Sequence, residues 1–193
     1  MLEVLKHIDT KVFLAINGAH NAFFDTVMYW ISNKFFWFPF YLFLLIYIIV
    51  KFKKKTYIIL PIIALTIALS DQLAVRLFKN VFKRYRPCHN LNIQNLVHLV
   101  NGHCGGQYGF ISNHASNAFA MIVFVTLLIR KTNSYLPYIL FFWGLLIMYS
   151  RVYLGVHYPL DVTGGALFGS LIGFLTWKFY FYIENKKQNQ LNV

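Results

Sequence analysis

Four uncharged, apolar runs organise the chain, at 35–50, 112–129, 132–150 and 162–177. A fifth, at 56–70, is also uncharged and keeps a helical pattern through Asp71 to Lys79. A membrane span needs ~20 residues at about 1.5 Å rise each, and flanking lysine and aromatic side chains that reach the interface let shorter runs suffice. Pro39, Pro61 and Pro137 fall in the first turn or two of a run, where a missing N–H costs least. The pattern predicts an all-α integral membrane protein, a helical bundle of five transmembrane helices.

The first 33 residues have a different texture. Leu2, Leu5, Ile8, Val12 and Ile16 recur at roughly helical spacing, with Glu3, Lys6, Asp9 and Lys11 between them. Residues 1–33 therefore read as amphipathic helices lying in the interface, broken at Asn17-Gly18-Ala19-His20-Asn21. A sixth crossing here is the alternative. A cleaved signal peptide is excluded, because charges interrupt the apolar stretch and no small-residue cleavage site follows. Residues 184–193, rich in Asn, Gln and Lys, read as a disordered cytoplasmic tail. No repeat or linker divides the chain, so 1–193 reads as a single membrane-embedded domain.

Composition agrees. The 193 residues are 58% hydrophobic and only 12% charged. Soluble domains carry about 25% charged residues. A soluble enzyme, a disordered chain and a disulfide-dense scaffold are thereby excluded. The net charge of +12, from 18 Lys+Arg against 6 Asp+Glu, could signal nucleic acid or membrane topology. Location decides. Lys51, Lys53, Lys54 and Lys55 fall between the first two spans, Arg130 and Lys131 between the third and fourth, and Lys178, Lys186 and Lys187 after the fifth. Five alternating crossings put all nine on one side, which the positive-inside rule makes cytoplasmic. No nucleic acid is needed to explain them.

Topology does not account for Lys79, Lys83, Arg84, Arg86 and Arg151 on the opposite side. They belong to three segments at span ends: Lys79 to Pro87, then Phe110-Ile111-Ser112-Asn113-His114, then Ser150 to Asp161. Together these hold strong cations, two histidines, a serine and a carboxylate, enough to bind a phosphate and to cleave it. Lys79 and Arg86 are two turns apart and share a face if the helix persists to Pro87. Ser112 stands where a helix N-cap belongs, with the Asn113 and His114 amides pointing outward as an anion site. Asp161, four residues after His157, is placed to accept an imidazole N–H and fix the tautomer.

The three segments resemble the signature of the type-2 phosphatidic acid phosphatase superfamily, K-x6-R-P, P-S-G-H and S-R-x5-H-x3-D. The first and third match at every defined position. The second has Ile111 for proline and Asn113 for glycine, keeping Ser112 and His114. The resemblance implies that His157 attacks phosphorus and becomes a phosphohistidine, with Asp161 raising its basicity. It implies that His114 protonates the leaving oxygen and then activates water. Lys79, Arg86 and Arg151 would hold the phosphate oxygens with Ser112 and the Asn113 amide, without metal or cofactor. The implied substrate is a membrane lipid phosphate or pyrophosphate at the periplasmic face of the inner (cytoplasmic) membrane. Undecaprenyl pyrophosphate leads that reading. Lipid A and phosphatidic acid or phosphatidylglycerol phosphate follow, then lipid phosphotransfer and, from another class, anion transport.

Other positions carry smaller expectations. Lys83 and Arg84 read as headgroup or surface contacts, with substrate binding as the second option. Cys88 and Cys104 would pair in an oxidising compartment, where closing a loop of that size stabilises by about 3 kcal/mol. A metal site with His89, His98 and His103 lacks standard zinc spacings, and free thiols are the third option. Asp71, inside a span, needs a partner, with Arg76 and the Asn17–Asn21 turn as candidates. Gly165, Gly169 and Gly173 form a close-packing row, within a monomer rather than at a weak homodimer seam.

Overall fold

The computed structural model describes residues 2–130 and 132–191; Met1, Lys131 and the last two tail residues lie outside that range. Its regular elements are helices: α1 (Leu2–Gly18), α2 (Ala22–Ser32), α3 (Phe38–Phe52), α4 (Thr56–Leu73), a short α5 (Asn80–Phe82), α6 (Asn113–Ile129), α7 (Leu136–Tyr153) and α8 (Pro159–Leu191). The stretches Phe38–Phe82, Leu136–Tyr153 and Pro159–Lys187 are long and apolar enough to cross a membrane, and α6 is a shorter apolar helix. The first stretch makes two passes. It turns at Lys53, where φ is 46°, and through a 3₁₀ turn at Lys53–Lys55. A helix stands at each of the five predicted spans, as α3, α4, α6, α7 and α8. Pro39, Pro137 and Pro159 sit at the first or second position of α3, α7 and α8, as their missing N–H prefers.

The bundle is built around α6, whose Phe124, Val125 and Ile129 are fully buried among α3, α4, α7 and α8. Large apolar side chains face outward on the peripheral helices, among them Phe43, Val50, Phe142, Leu167 and Leu171. That is the surface lipid requires. Two hydroxyl pairs tie helices together inside: Thr66 donates to Thr176 at 2.8 Å, and the Ser70 and Ser116 hydroxyls meet at 2.7 Å.

The glycine row is an intramolecular contact. A Cβ added at Gly165 would lie 2.6 Å from the Ser112 carbonyl oxygen, and Gly169 and Gly173 press more closely still on the Ser116 and Ala120 carbonyls. Gly169→Val is expected to force α8 off α6 and cost about 1–3 kcal/mol or more. The check is a lower thermal midpoint in detergent, with lipid-facing Leu171→Val unchanged.

Two readings of the termini change. On α1, Leu5, Ile8 and Val12 are exposed, while Asp9, Phe13 and Asn17 are buried. The apolar stripe is the outer surface, and the face at four-residue spacing from Asp9 packs on the bundle. Burial of Asp9 is therefore a correction to its reading as a polar interfacial position. At the other end, α8 stays helical through the tail to Leu191. Glu184 pairs with Lys55, and Lys187 with Tyr57, fastening it to the α3–α4 turn.

Candidate active site

The three motif segments meet at one end of the bundle. Helix α4 passes through a π-turn at Ala74–Lys79, which brings Lys79 to the site, and the helix stops at Phe82 with Lys83 left-handed at φ 46°. The helix does not persist to Pro87. Arg86 arrives on extended backbone, where its N–H donates to the Gln107 carbonyl at 3.1 Å. Its guanidinium then donates to the Val156 carbonyl at 3.0 Å and to His157 Nε2 at 3.1 Å.

His157 is 2% exposed, in the turn just before α8. Its Nδ1 faces Asp161 Oδ2 at 3.5 Å, an approach longer than a hydrogen bond. Asp161 Oδ2 is held by backbone, accepting the Tyr158 N–H at 3.0 Å. Gly109 closes this pair from the far side. A Cβ there would come within 2.9 Å of Asp161 Oδ2 and 3.5 Å of His157 Nδ1. Gly109 is a site residue that the motif pattern did not mark.

Burial pushes the His157 imidazole well below its usual range, and the Arg86, Arg151 and Lys79 charges push it further. The ring is neutral at pH 7, with its Nε2 lone pair directed at Arg86.

Ser112 is the N-cap of α6 and is fully buried, but its hydroxyl does not cap the helix. Its N–H donates to the Asp161 carbonyl at 2.9 Å. In this cluster Ser112 Oγ, Arg86 Nε, Arg151 Nε and His157 Nδ1 are buried without a hydrogen-bond partner. Orphaned groups gathered in one place, two of them on guanidinium cations, are what an anion site leaves behind. Arg151 reaches the cluster from the end of α7, held by Ser32 Oγ of α2. His114, in the first turn of α6, is exposed to a cavity of about 570 Å³ that runs between α3 and α4. Trp37, Tyr41, Ile63, Ile67 and Trp143 make its wall apolar.

Asp71 also lines this cavity, and its partners differ from those expected. Its Oδ1 accepts from Asn113 Nδ2 at 2.7 Å and Asn117 Nδ2 at 3.2 Å. Asn17 instead clamps His98 and the Tyr153 carbonyl, and His20 stacks on His98. Asn113, which departs from the motif's glycine, thus anchors the start of α6 to α4.

Arg84 is not a surface residue. It donates to Asp161 Oδ1 at 2.8 Å and to Asp9 Oδ2 at 2.6 Å, over the Tyr158 ring at 4.1 Å. Asp9 also accepts the Leu160 N–H at 2.9 Å. Lys83 is exposed, as a headgroup contact would be. Cys88 and Cys104 form a disulfide across the mouth loop, with their Cα atoms 6.2 Å apart.

The arrangement has clear relatives. The PAP2 superfamily profile matches residues 60–185. A lipid A 4′-phosphatase from Bacteroides thetaiotaomicron is 38% identical over 94% of this chain and 79% of its own length. The Porphyromonas gingivalis lipid A 4′-phosphatase is 31% identical over 96% and 78%. An undecaprenyl-diphosphatase from Sulfolobus acidocaldarius is 31% identical over 87% and 76%. Among solved structures, Aquifex aeolicus LpxE superposes with a TM-score of 0.67 at 29% identity, covering 88% of this chain and 94% of that one. With the motif residues gathered at one end of a five-pass bundle and a profile match over most of its length, this chain belongs to the PAP2 superfamily.

Proposed function

We propose that this multi-pass membrane protein is a lipid phosphatase that removes a phosphate monoester from the sugar head group of lipid A, at the outer face of the inner membrane. The 38% identity with a lipid A 4′-phosphatase across 94% of the chain carries the reading. It reverses the order drawn from sequence, in which undecaprenyl pyrophosphate came first. The position of Asp71 supports the same choice. It stands on the cavity wall shared with His114, the side from which the leaving group departs. A neutral sugar hydroxyl suits that wall, whereas the phosphorylated leaving group of a lipid diphosphate meets a carboxylate.

In this mechanism the phosphate lies among Lys79, Arg86 and Arg151, with Ser112 Oγ and the Asn113 amide on its oxygens. It takes over the Arg86 hydrogen bond now spent on Nε2, which frees that lone pair for in-line attack. The P–Nε2 bond forms as the P–O ester bond breaks, and His114 gives the departing oxygen its proton. His114 then takes a proton from water, whose oxygen attacks phosphorus and releases His157. Three fixed cations carry the developing charge.

Because His157 resists protonation, the acid limb of kcat/KM is expected below the ordinary imidazole value of about 6.5. A limb at or above that value would contradict a neutral, desolvated nucleophile.

The substrate is tested by phosphate release from the detergent-purified chain, in EDTA, on lipid A 1,4′-bisphosphate, undecaprenyl diphosphate and phosphatidylglycerol phosphate. Lipid A is expected to be turned over at least about tenfold faster than the others, a discrimination of about 1.4 kcal/mol. Faster release from undecaprenyl diphosphate would restore the other substrate. Loss of activity in EDTA would remove the three-cation account.

A further inference from the structure

The three motif segments leave Asp9 and Arg84 without a role, yet both lie against the central carboxylate. Asp9 comes from α1, 75 residues before Arg84 in the chain, and its side chain is 1% exposed. The Arg84 side chain is 25% exposed and that of Asp161 is fully buried. One guanidinium therefore serves two buried carboxylates, with an N–H to each. Asp9 spends its remaining oxygen on the Leu160 N–H, in the first turn of the helix that carries Asp161.

We propose that Asp9 and Arg84 are positioning residues: Asp9 fixes the Arg84 fork, and Arg84 holds Asp161 in the rotamer that turns Oδ2 toward His157. This rests on the reading of His157 as the nucleophile. The geometry requires the fork. With Oδ1 held by Arg84 and Oδ2 by the Tyr158 N–H, the carboxylate cannot rotate about its Cβ–Cγ bond without breaking a charge-assisted bond. The N-terminal helix thereby becomes part of the catalytic apparatus. It also supplies the second anion, without which Arg84 would add a fourth cation near the histidine.

The charged and titratable groups around the Asp161–His157 pair come from every neighbouring element. They are Asp9 on α1, Lys79 at the end of the π-turn, Arg84 and Arg86 on the following loop, His114 on α6, Arg151 on α7 and Tyr158 in the turn before α8. Removing one charge from this set shifts the pair in a direction set by its sign.

The test uses the full chain in detergent with lipid A 1,4′-bisphosphate. Asp9→Asn and Arg84→Gln are each expected to lower kcat about tenfold or more, with KM within about twofold. Their acid limbs should move in opposite directions by roughly half a pH unit. Loss of the Asp9 anion moves the limb down, and loss of the Arg84 cation moves it up. A purely structural role lowers activity without opposite shifts. Arg84→Lys keeps the charge but cannot span both carboxylates. It should lose kcat similarly with its limb in place, and it carries the test if Asp9→Asn does not fold. Wild-type kcat in folded Asp9→Asn or Arg84→Lys overturns the proposal while leaving the phosphatase reading intact. Turnover by His157→Gln at the wild-type rate overturns both.

Discussion

Replacing His157 with glutamine is expected to lower phosphate release by about 10,000-fold or more, because it removes the atom that bonds to phosphorus. Glutamine keeps a similar volume in a position that is 2% exposed, so the fold should stand. Its amide nitrogen carries no nucleophilic lone pair. Substrate affinity should stay within a few fold of the wild type, since the cations that hold the phosphate are unchanged. Release within about tenfold of wild type would place the nucleophile elsewhere. Retained lipid binding by an inactive, folded variant would separate chemistry from recognition.

The second large effect is at His114. His114→Asn is expected to lower kcat on lipid A by about 100- to 10,000-fold, the usual range for removing a general acid. The loss should depend on the leaving group, because a sugar alkoxide needs a proton to depart and a nitrophenolate does not. With 4-nitrophenyl phosphate, formation of the phosphoenzyme should be largely spared, giving a burst of nitrophenol followed by slow turnover. An equal loss on both substrates, without a burst, would assign His114 to phosphate binding. Its place in the cavity wall, with Asp71 lining the same cavity, is what favours the leaving-group side.

Much of the fold and the site could be read from sequence for one physical reason. Charges are expensive in a membrane, so the cations and histidines that remain at span ends on the non-cytoplasmic side stand out. That argument picked out Lys79, Arg86, His114, Arg151, His157 and Asp161, and the structure brings them to one end of the bundle. What it missed lies in side-chain pairing across long separations. Nothing local distinguishes Arg84, which bridges Asp9 and Asp161, from Lys83, which is exposed.

A signal did exist on α1, where Asp9, Phe13 and Asn17 repeat at four-residue spacing. In a membrane protein that polar and aromatic stripe marks the face turned to the bundle, and the apolar stripe faces lipid. Asp71 was recognised as needing a partner, but Asn113 and Asn117 were not apparent. The helix offering them begins 42 residues later in the chain, a separation that local pattern does not span. The persistence of helix from Lys79 to Pro87 failed for a local reason. The π-turn and the left-handed Lys83 end the helix early, and Arg86 reaches His157 from extended chain instead.

The most direct test of the central claim is to trap the covalent intermediate. Purified protein is mixed with lipid A carrying radiolabelled phosphate, quenched in alkali within one turnover, and digested for peptide mapping. The account predicts label on the peptide containing His157, stable to alkali and released by acid as a phosphoramidate must be, and absent from His157→Gln. Rapid phosphate release with no protein-bound label, or label on any other residue, would contradict it.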